Sequence, residues 1–455
     1  MDIIYSLVGI LLALGVLVTV HEFGHFGVAR LCGVRVLRFS VGFGKALWTW
    51  RDKQGTEFVI APIPLGGYVK MFGESEDASA IAPEDRRVSF AHKNVWQRLA
   101  IVLAGPAANL VLAVVCYALL FVVGTPYVVP VVDGVVANSP AEDAGFVVGD
   151  KIVAVDGEQV RDWQAINLAV FRALGNRTQI SVETEREQRL YLRTLSLAQF
   201  EQHKGVLQDL VRTLGIMPYP ARLEPVIGAI SAGGRAEAAG LLPGDLVLEA
   251  NGISIESWNQ WVQVVRSHAE VPLYLRILRD GRHQFLTLTP ENRHMEGQQI
   301  GYIGAAVMLQ SVPEDMIQVV RYSVVGAWWP ALVKTWSMAA LTLDGMKKLL
   351  FGVLSVKNIG GPVTIGQVAG QSLASGFTVF VAFLAYLNVS LAVINLLPIP
   401  MLDGGHATFY LAEIIARKPL PETFRHFAMK LGFVLLVFFM SIALFNDFTR
   451  LFAQF

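Results

Sequence analysis

The chain has 455 residues, of which 53% are hydrophobic and 16% are charged, and its formal net charge is zero. Soluble domains carry about 25% charged residues, so the low charge predicts membrane-spanning segments and the neutral balance gives no support to nucleic-acid binding. The only two cysteines, Cys32 and Cys116, argue against a disulfide framework and give no support to redox chemistry.

The first predicted element is an apolar span at residues 1–30. No charged residue lies between Ile3 and Val20, which approaches the roughly 20 residues needed to cross the hydrocarbon core. The segment lacks the positive start and the small-residue cleavage site of a signal peptide. We therefore expect a retained transmembrane helix.

This span ends in the HExxH motif His21-Glu22-Phe23-Gly24-His25. Positions i and i+4 of a helix share a face, so both imidazoles can bind one Zn²⁺, and Glu22 can act as general base toward a bound water. Ionisable groups continuous with a transmembrane helix are costly and usually functional. The alternative interpretation is a polar helix end at the membrane interface.

Residues 31–98 are predicted to form a loop on the cytoplasmic side with membrane-associated β-structure. Strand-like segments such as Phe58-Val59-Ile60 are punctuated by glycines, including Gly42 and Gly44 beside Phe43. A substrate helix must unwind before cleavage, and its freed backbone groups then need hydrogen-bond partners. Gly42, Phe43 and Gly44 are candidates for binding substrate here, and a plain cytoplasmic hairpin is the alternative.

A second span is predicted at residues 99–124, and an internal repeat follows it. Four landmarks recur at a constant offset of 95 residues, which indicates a duplicated module. They are Ala144-Gly145, Gly149-Asp150, Asp156-Gly157 and Trp163 in the first copy, and Ala239-Gly240, Gly244-Asp245, Asn251-Gly252 and Trp258 in the second.

The two copies resemble PDZ domains, which we place at residues 127–220 and 222–309. The resemblance rests on SPAEDAGFVVGDKIVAVDG in the first copy and AEAAGLLPGDLVLEANG in the second. PDZ domains bind extended peptides at an exposed sheet edge. Spacer domains with closed grooves are the alternative interpretation.

The C-terminal third contains three further elements. Residues 317–350 are apolar but interrupted by charges, a pattern typical of an amphipathic helix in the membrane interface. A third span is predicted at residues 375–403, a cytoplasmic loop at 404–428 and a fourth span at 429–447. Pro398 and Pro400 are expected to break the third helix just before Asp403.

The distribution of Lys and Arg predicts the orientation of these spans. Many of them lie between the first two spans and none precedes the first span, so the first loop is expected in the cytoplasm, with both termini and the PDZ pair outside. The HExxH motif and Asp403 then lie at the same face of the membrane. Asp403 is the best candidate for the third protein ligand of a catalytic zinc, and His406 is an alternative.

Two polar residues lie within the third span. Asn388 and Asn395 are seven residues apart and therefore near one face of a helix. They are candidates for hydrogen bonds to the substrate backbone, with helix–helix packing as the alternative.

The motifs together resemble the site-2 protease family over essentially the whole chain. In chain order they are HEFGH at residues 21–25, Gly42-Phe43-Gly44, Ala104-Gly105-Pro106 with Asn109, the PDZ pair, and Leu402-Asp403-Gly404-Gly405-His406. The resemblance implies a polytopic α-helical membrane protein with four transmembrane helices, a membrane-associated β-hairpin region that clamps substrate, and two extracytoplasmic α+β PDZ domains.

The same resemblance implies an intramembrane zinc metalloprotease of a bacterial inner membrane. His21, His25 and Asp403 would be the zinc ligands and Glu22 the catalytic base. Expected substrates are single-span membrane proteins, namely an anti-sigma factor and remnant signal peptides, with the PDZ pair as an outer gate. The main competing hypothesis is a non-enzymatic, membrane-anchored PDZ scaffold, and a transporter is a weaker one; bound zinc distinguishes the enzyme from both.

Overall fold

The computed structural model describes residues 2–74, 81–198, 210–295, 298–308 and 312–452. Its contacts divide the chain into two compact units. The membrane unit comprises Met1–Thr125 and Val319–Phe448, and the inserted unit comprises Pro126–Gln318 with Thr449–Phe455.

The helices and strands are numbered in chain order. The helices are α1 (Asp2–Leu31), α2 (Val95–Val123), α3 (Pro140–Asp143), α4 (Trp163–Ala173), α5 (Leu210–Thr213), α6 (Arg235–Ala238), α7 (Trp258–Ser267), α8 (Trp328–Leu350), α9 (Pro362–Ala374), α10 (Phe377–Asn395), α11 (Asp403–Ala416) and α12 (Glu422–Phe452). The strands are β1 (Val36–Phe43), β2 (Trp48–Arg51), β3 (Glu57–Ile60), β4 (Ile63–Met71), β5 (Thr125–Val128), β6 (Val132–Val135), β7 (Lys151–Val155), β8 (Glu158–Gln159), β9 (Gln179–Arg186), β10 (Arg189–Ser196), β11 (Ile216–Pro218), β12 (Ile227–Ile230), β13 (Leu246–Ala250), β14 (Ile253–Ser254), β15 (Leu273–Arg279), β16 (Arg282–Leu288), β17 (Glu291–Met295), β18 (Gln298–Tyr302), β19 (Ala305–Val307) and β20 (Ile317–Val320).

Four helices in the described part of the chain are long and apolar enough to cross a membrane. They are Ile4–Leu31 in α1, Val95–Val123 in α2, Phe377–Asn395 in α10 and Glu422–Leu451 in α12. The prediction of four apolar transmembrane helices is therefore confirmed at the level of length and composition. Their exposed side chains are largely apolar, as expected for helices that face lipid.

Close packing of α1 against α2 places the HExxH motif beside the middle of α2. α2 begins with a capping box. Asn94 Oδ1 accepts a hydrogen bond from the backbone N–H of Gln97, and Gln97 Oε1 accepts one from the backbone N–H of Asn94. A side chain at Gly24 of α1 would overlap the Ala104 carbonyl of α2. Small residues let membrane helices approach closely, so Gly24 brings the two backbones together at the motif.

A four-stranded sheet in the membrane unit packs on the same part of α1. Its strand order is β2-β3-β1-β4, so β4 forms one edge, and β1 and β4 are antiparallel with Phe39 opposite Val69. The buried faces of these strands join Phe26 and Ile101 in one hydrophobic core. The region at residues 31–98 is thus more than a plain hairpin, and its edge strand lies against the HExxH helix.

Several predicted boundaries in the C-terminal third need correction. Residues 404–428 were expected to form a loop, but α11 occupies Asp403–Ala416 and α12 already begins at Glu422. The turn before α11 can be tight because side chains at Gly404 and Gly405 would overlap the carbonyls of Leu397 and Ile399. The apolar, helix-favouring segment ATFYLAEIIA then continues the helix.

The interfacial helix predicted at residues 317–350 is also shorter than expected. Its first part is strand β20, and α8 begins only at Trp328. The β-branched residues Ile317, Val319 and Val320 favour the extended conformation, which accounts for the difference. The third span is shorter too, because α10 ends at Asn395, before Pro398 and Pro400.

The inserted unit contains two sheets of equivalent topology. Their strand orders are β10-β9-β7-β8 and β14-β13-β15-β16, and β7 and β13 start at residues 151 and 246, the offset of 95 seen in the sequence. Each sheet has its own hydrophobic core, one around Ile152 and the other around Val247. The repeated sequence landmarks therefore lie in equivalent elements.

Candidate metal centre

Three side chains from distant parts of the chain converge in the membrane unit. Nε2 of His21 lies 3.2 Å from Oδ2 of Asp403, and Nε2 of His25 lies 3.5 Å from the same oxygen. The two Nε2 atoms are 3.3 Å apart. His21 and His25 stand one turn apart on α1, and Asp403 is the first residue of α11.

This set of donor atoms fits a zinc ion. Zinc binds imidazole nitrogen and carboxylate oxygen at about 2.0–2.2 Å in tetrahedral geometry, so its ligand atoms lie about 3.3 Å from one another. The three separations in the cluster match that edge length. Oδ2 of Asp403 is buried and has no hydrogen-bond partner among the described residues, and a cation would compensate this otherwise costly burial.

Helix α2 supports His25 through a main-chain group. Nδ1–H of His25 donates to the carbonyl of Ile101 at 2.8 Å, which leaves Nε2 free to bind a metal. Gly105, one turn further along α2, makes room for the ring, because a side chain there would overlap His25 Nε2. Pro106 lacks an N–H for the Val102 carbonyl and loosens this turn of the helix.

Asn109, one more turn along α2, contacts the other histidine. Its Nδ2 lies 3.3 Å from Nδ1 of His21, and the side chain is fully buried. In the sequence, Asn109 is part of a family motif and has no predicted role. A polar residue inside a predicted transmembrane helix is the signal that could have identified Asn109.

A cavity of about 290 Å³ opens onto the side chains of His21, His25 and Asp403. Glu22 lines it together with Gly67, Tyr68 and Val69 of the edge strand β4. A Cβ atom at Gly67 would lie 2.8 Å from Cγ of Glu22, so the strand backbone lies directly on this side chain. The cavity therefore places a carboxylate, the cluster and an exposed strand edge side by side.

His406, the alternative ligand, lies in the cavity wall but outside the cluster. The cluster found among the described residues consists of His21, His25 and Asp403. Burial lowers the pKa of His406, against the opposing charge of Asp403, and Arg425 lowers it further. His406 therefore lies beside the candidate metal centre without belonging to the cluster.

The residues predicted to bind substrate are not all brought to the cavity. Gly42 and Gly44 adopt positive φ values of 92° and 106° at the end of β1, and Phe43 between them stacks on Tyr68, which lines the cavity. Asn388 is buried and donates from Nδ2 to the Leu384 carbonyl at 2.8 Å. Neither Asn388 nor Asn395 lines the cavity.

Comparison with known proteins identifies the family. The sequence profile of Peptidase family M50 matches residues 9–439. The chain is 42% identical over 454 residues to the Regulator of sigma E protease of Salmonella typhi, 42% identical over 453 residues to Protease RseP of Yersinia pestis, and 41% identical over 457 residues to the Regulator of sigma-E protease RseP of Escherichia coli strain K12.

Each of these alignments covers 99% of this chain and 100% of the relative. The predicted membership of the site-2 protease family is confirmed, and the non-enzymatic scaffold is not favoured. The chain belongs to peptidase family M50 and is an intramembrane zinc metalloprotease.

Proposed function

We propose that His21, His25 and Asp403 hold the catalytic zinc and that Glu22 is the general base. The observation that carries this assignment is the convergence of Asp403 Oδ2 on the two Nε2 atoms at 3.2 and 3.5 Å. Three protein ligands leave one coordination position open, as in other catalytic zinc sites.

The chemistry divides between the ion and the side chains around it. When bound, zinc supplies Lewis acidity, which activates water at neutral pH and polarises the scissile carbonyl. Glu22, which lines the same cavity, takes a proton from the attacking water and later donates it to the leaving amine. His25 is held in the required orientation by its hydrogen bond to the Ile101 carbonyl.

The edge of β4 is the proposed binding surface for an unwound substrate segment. β1 pairs with one side of β4, and the sheet order leaves the other side at the edge. An extended peptide can add to such an edge by main-chain hydrogen bonds, and Gly67, Tyr68 and Val69 would guide it past Glu22. Phe43 would support this surface through its stacking on Tyr68, with Gly42 and Gly44 shaping the turn.

Asn388 and Asn395 would contact substrate backbone outside the cavity. Oδ1 of Asn388 is buried without a hydrogen-bond partner among the described residues, which leaves an acceptor available in the membrane. Asn395 closes α10. Both residues would form hydrogen bonds with the backbone of a substrate segment that is still partly helical.

Substrates of the anti-sigma factor type are proposed because relatives carry the name Regulator of sigma E protease. Remnant signal peptides are proposed because the family resemblance implies them. The two equivalent sheets of the inserted unit support an assignment as PDZ domains that gate access. The relatives and the four apolar helices support an inner-membrane location, and the Lys and Arg distribution supports an orientation with the PDZ pair and both termini outside the cytoplasm.

The test uses the purified full-length protein in detergent with a single-span model substrate. Glu22→Gln should retain zinc and lose cleavage by about 10²–10⁴-fold, the usual contribution of general acid–base catalysis. His21→Ala should lose both zinc and cleavage. Cleavage by Glu22→Gln at the wild-type rate would reject the proposed base, and wild-type zinc content in His21→Ala would reject the proposed site.

A further inference from the structure

Helix α2 forms a hydrogen-bond contact with each of the two histidines, His21 and His25, but through different kinds of group. His25 is held by a main-chain carbonyl, that of Ile101, which no substitution removes. His21 is held by a side chain: among the described residues, Asn109 is the group in hydrogen-bond contact with its Nδ1. The orientation of one ligand of the candidate metal centre thus depends on a single amide.

We propose that Asn109 is a positioning residue for the zinc ligand His21, with its amide oxygen accepting a hydrogen bond from Nδ1–H. The inference rests on the proposed zinc site and adds to it a residue that determines how tightly zinc is held. Asn109 would act through His21 and would not touch the substrate.

The tautomer of His21 determines which amide orientation can work. A neutral imidazole carries one proton, so Nε2 can bind a metal only if Nδ1 carries the hydrogen. If Nδ2 of Asn109 donated to Nδ1, the proton of His21 would lie on Nε2 and block ligation. With the amide oxygen next to Nδ1, Nδ1–H donates to it and Nε2 is free.

A second, independent observation favours the same orientation. Oδ1 of Asn109 is buried without a hydrogen-bond partner among the described residues, while Nδ2 faces the imidazole at 3.3 Å. Rotating the amide by 180° exchanges the two atoms without changing its shape. The rotation gives Oδ1 a donor, Nδ1–H of His21, and gives His21 the tautomer that zinc needs, while Nδ2 takes the former position of Oδ1.

The alternative role for Asn109 is packing alone, since buried polar residues also join membrane helices. The two roles predict different outcomes for two substitutions that keep the branching at Cγ. Asn109→Asp keeps an acceptor for Nδ1–H, whereas Asn109→Leu replaces the amide by methyl groups and removes the acceptor. A positioning role requires that Asp preserves zinc binding and Leu does not.

The experiment measures zinc affinity by competition with a chelator in the purified full-length protein, with folding followed by size-exclusion chromatography. Asn109→Leu should bind zinc about 10–100-fold more weakly, the usual cost of losing a partner of a metal-binding histidine. Asn109→Asp should bind zinc at least as tightly as wild type. The matched control is Asn446→Leu, a buried asparagine of α12 outside the cavity, which should keep wild-type affinity.

Wild-type affinity in Asn109→Leu would overturn the inference, and so would equal weakening in Asn109→Asp and Asn109→Leu. If Asn109→Leu does not fold, Asn109→Asp decides alone: unchanged or tighter binding supports the role and a tenfold loss overturns it. Failure of the zinc site itself has a different signature, because wild-type protein would then lack zinc or His21→Ala would retain it.

Discussion

Gly105 of α2 lies directly against the imidazole of His25, so that any side chain at this position would overlap Nε2, the atom assigned to bind zinc. Alanine normally stabilises a helix relative to glycine by about 1 kcal/mol. At this position the gain in helix stability should be accompanied by a loss of zinc affinity. Gly105→Ala should displace the imidazole ring and weaken zinc binding about 10–100-fold, the usual effect of disturbing the groups around a metal ligand. Chelator competition measures this change.

The control for this substitution is Gly15→Ala in α1. A Cβ atom at Gly15 would meet no heavy atom within 4 Å, so the same gain in helix propensity occurs without overlap. Gly15→Ala should keep wild-type zinc affinity. Equal affinity in Gly105→Ala and Gly15→Ala would show that the His25 ring does not need the space at Gly105.

The contact between Gly67 and Glu22 predicts a catalytic defect without metal loss. A Cβ atom at Gly67 would lie 2.8 Å from Glu22 Cγ and 2.6 Å from the Ser40 carbonyl oxygen. Gly67→Ala should therefore displace the base or the strand, and a misplacement of about 1 Å can cost about 10²-fold in rate. Cleavage of a model substrate should fall by that order while zinc content stays at the wild-type level; unchanged cleavage would contradict the prediction.

Substitution of His406 tests the alternative ligand. Its side chain lines the cavity but lies outside the cluster of His21, His25 and Asp403. His406→Gln should therefore retain zinc at the wild-type level, as measured by metal analysis of the purified protein. A loss of zinc comparable to that of His21→Ala would assign His406 to the metal instead.

A partly buried ion pair links α2 and α11 in the membrane unit. Arg98 Nη2 donates to Glu413 Oε2 at 3.0 Å, and its guanidinium lies 4.8 Å from the Tyr410 ring centre. Glu413→Leu leaves the arginine without its partner and should cost about 3 kcal/mol of stability. Thermal unfolding in detergent measures the loss.

The double variant Arg98→Met with Glu413→Leu separates pairing from packing. Replacing both partners by apolar residues of similar size removes the uncompensated charge. The double variant should regain most of the thermal stability that Glu413→Leu alone loses. A double variant as unstable as Glu413→Leu alone would show that the charge left on Arg98 is not the cause.

Local sequence patterns predicted the elements that depend on composition and spacing. Uninterrupted apolar stretches predicted the four long helices, and the i, i+4 spacing of His21 and His25 placed both rings on one helix face. Asp403 was selected by topology, since the first and third spans run in the same direction. The structure brings these three side chains together.

Features that depend on tertiary packing were not predictable in the same way. The Ile101 carbonyl has no side-chain signature, and the fit of His25 against Gly105 requires knowledge of how α1 and α2 cross. The helix at Asp403–Ala416 was not predicted. Its second and third residues, Gly404 and Gly405, are poor helix formers, and only the structure shows that they let α11 pack on the carbonyls of Leu397 and Ile399.

The measurement that tests the account most directly is the zinc content of purified wild type and Asp403→Asn, each assayed for cleavage of the same model substrate. The wild type should carry one zinc ion per chain and cleave. Asp403→Asn should lose both metal and cleavage, because it removes the carboxylate that faces the two Nε2 atoms at 3.2 and 3.5 Å. An Asp403→Asn protein that keeps its zinc and cleaves at the wild-type rate would contradict the proposed metal centre.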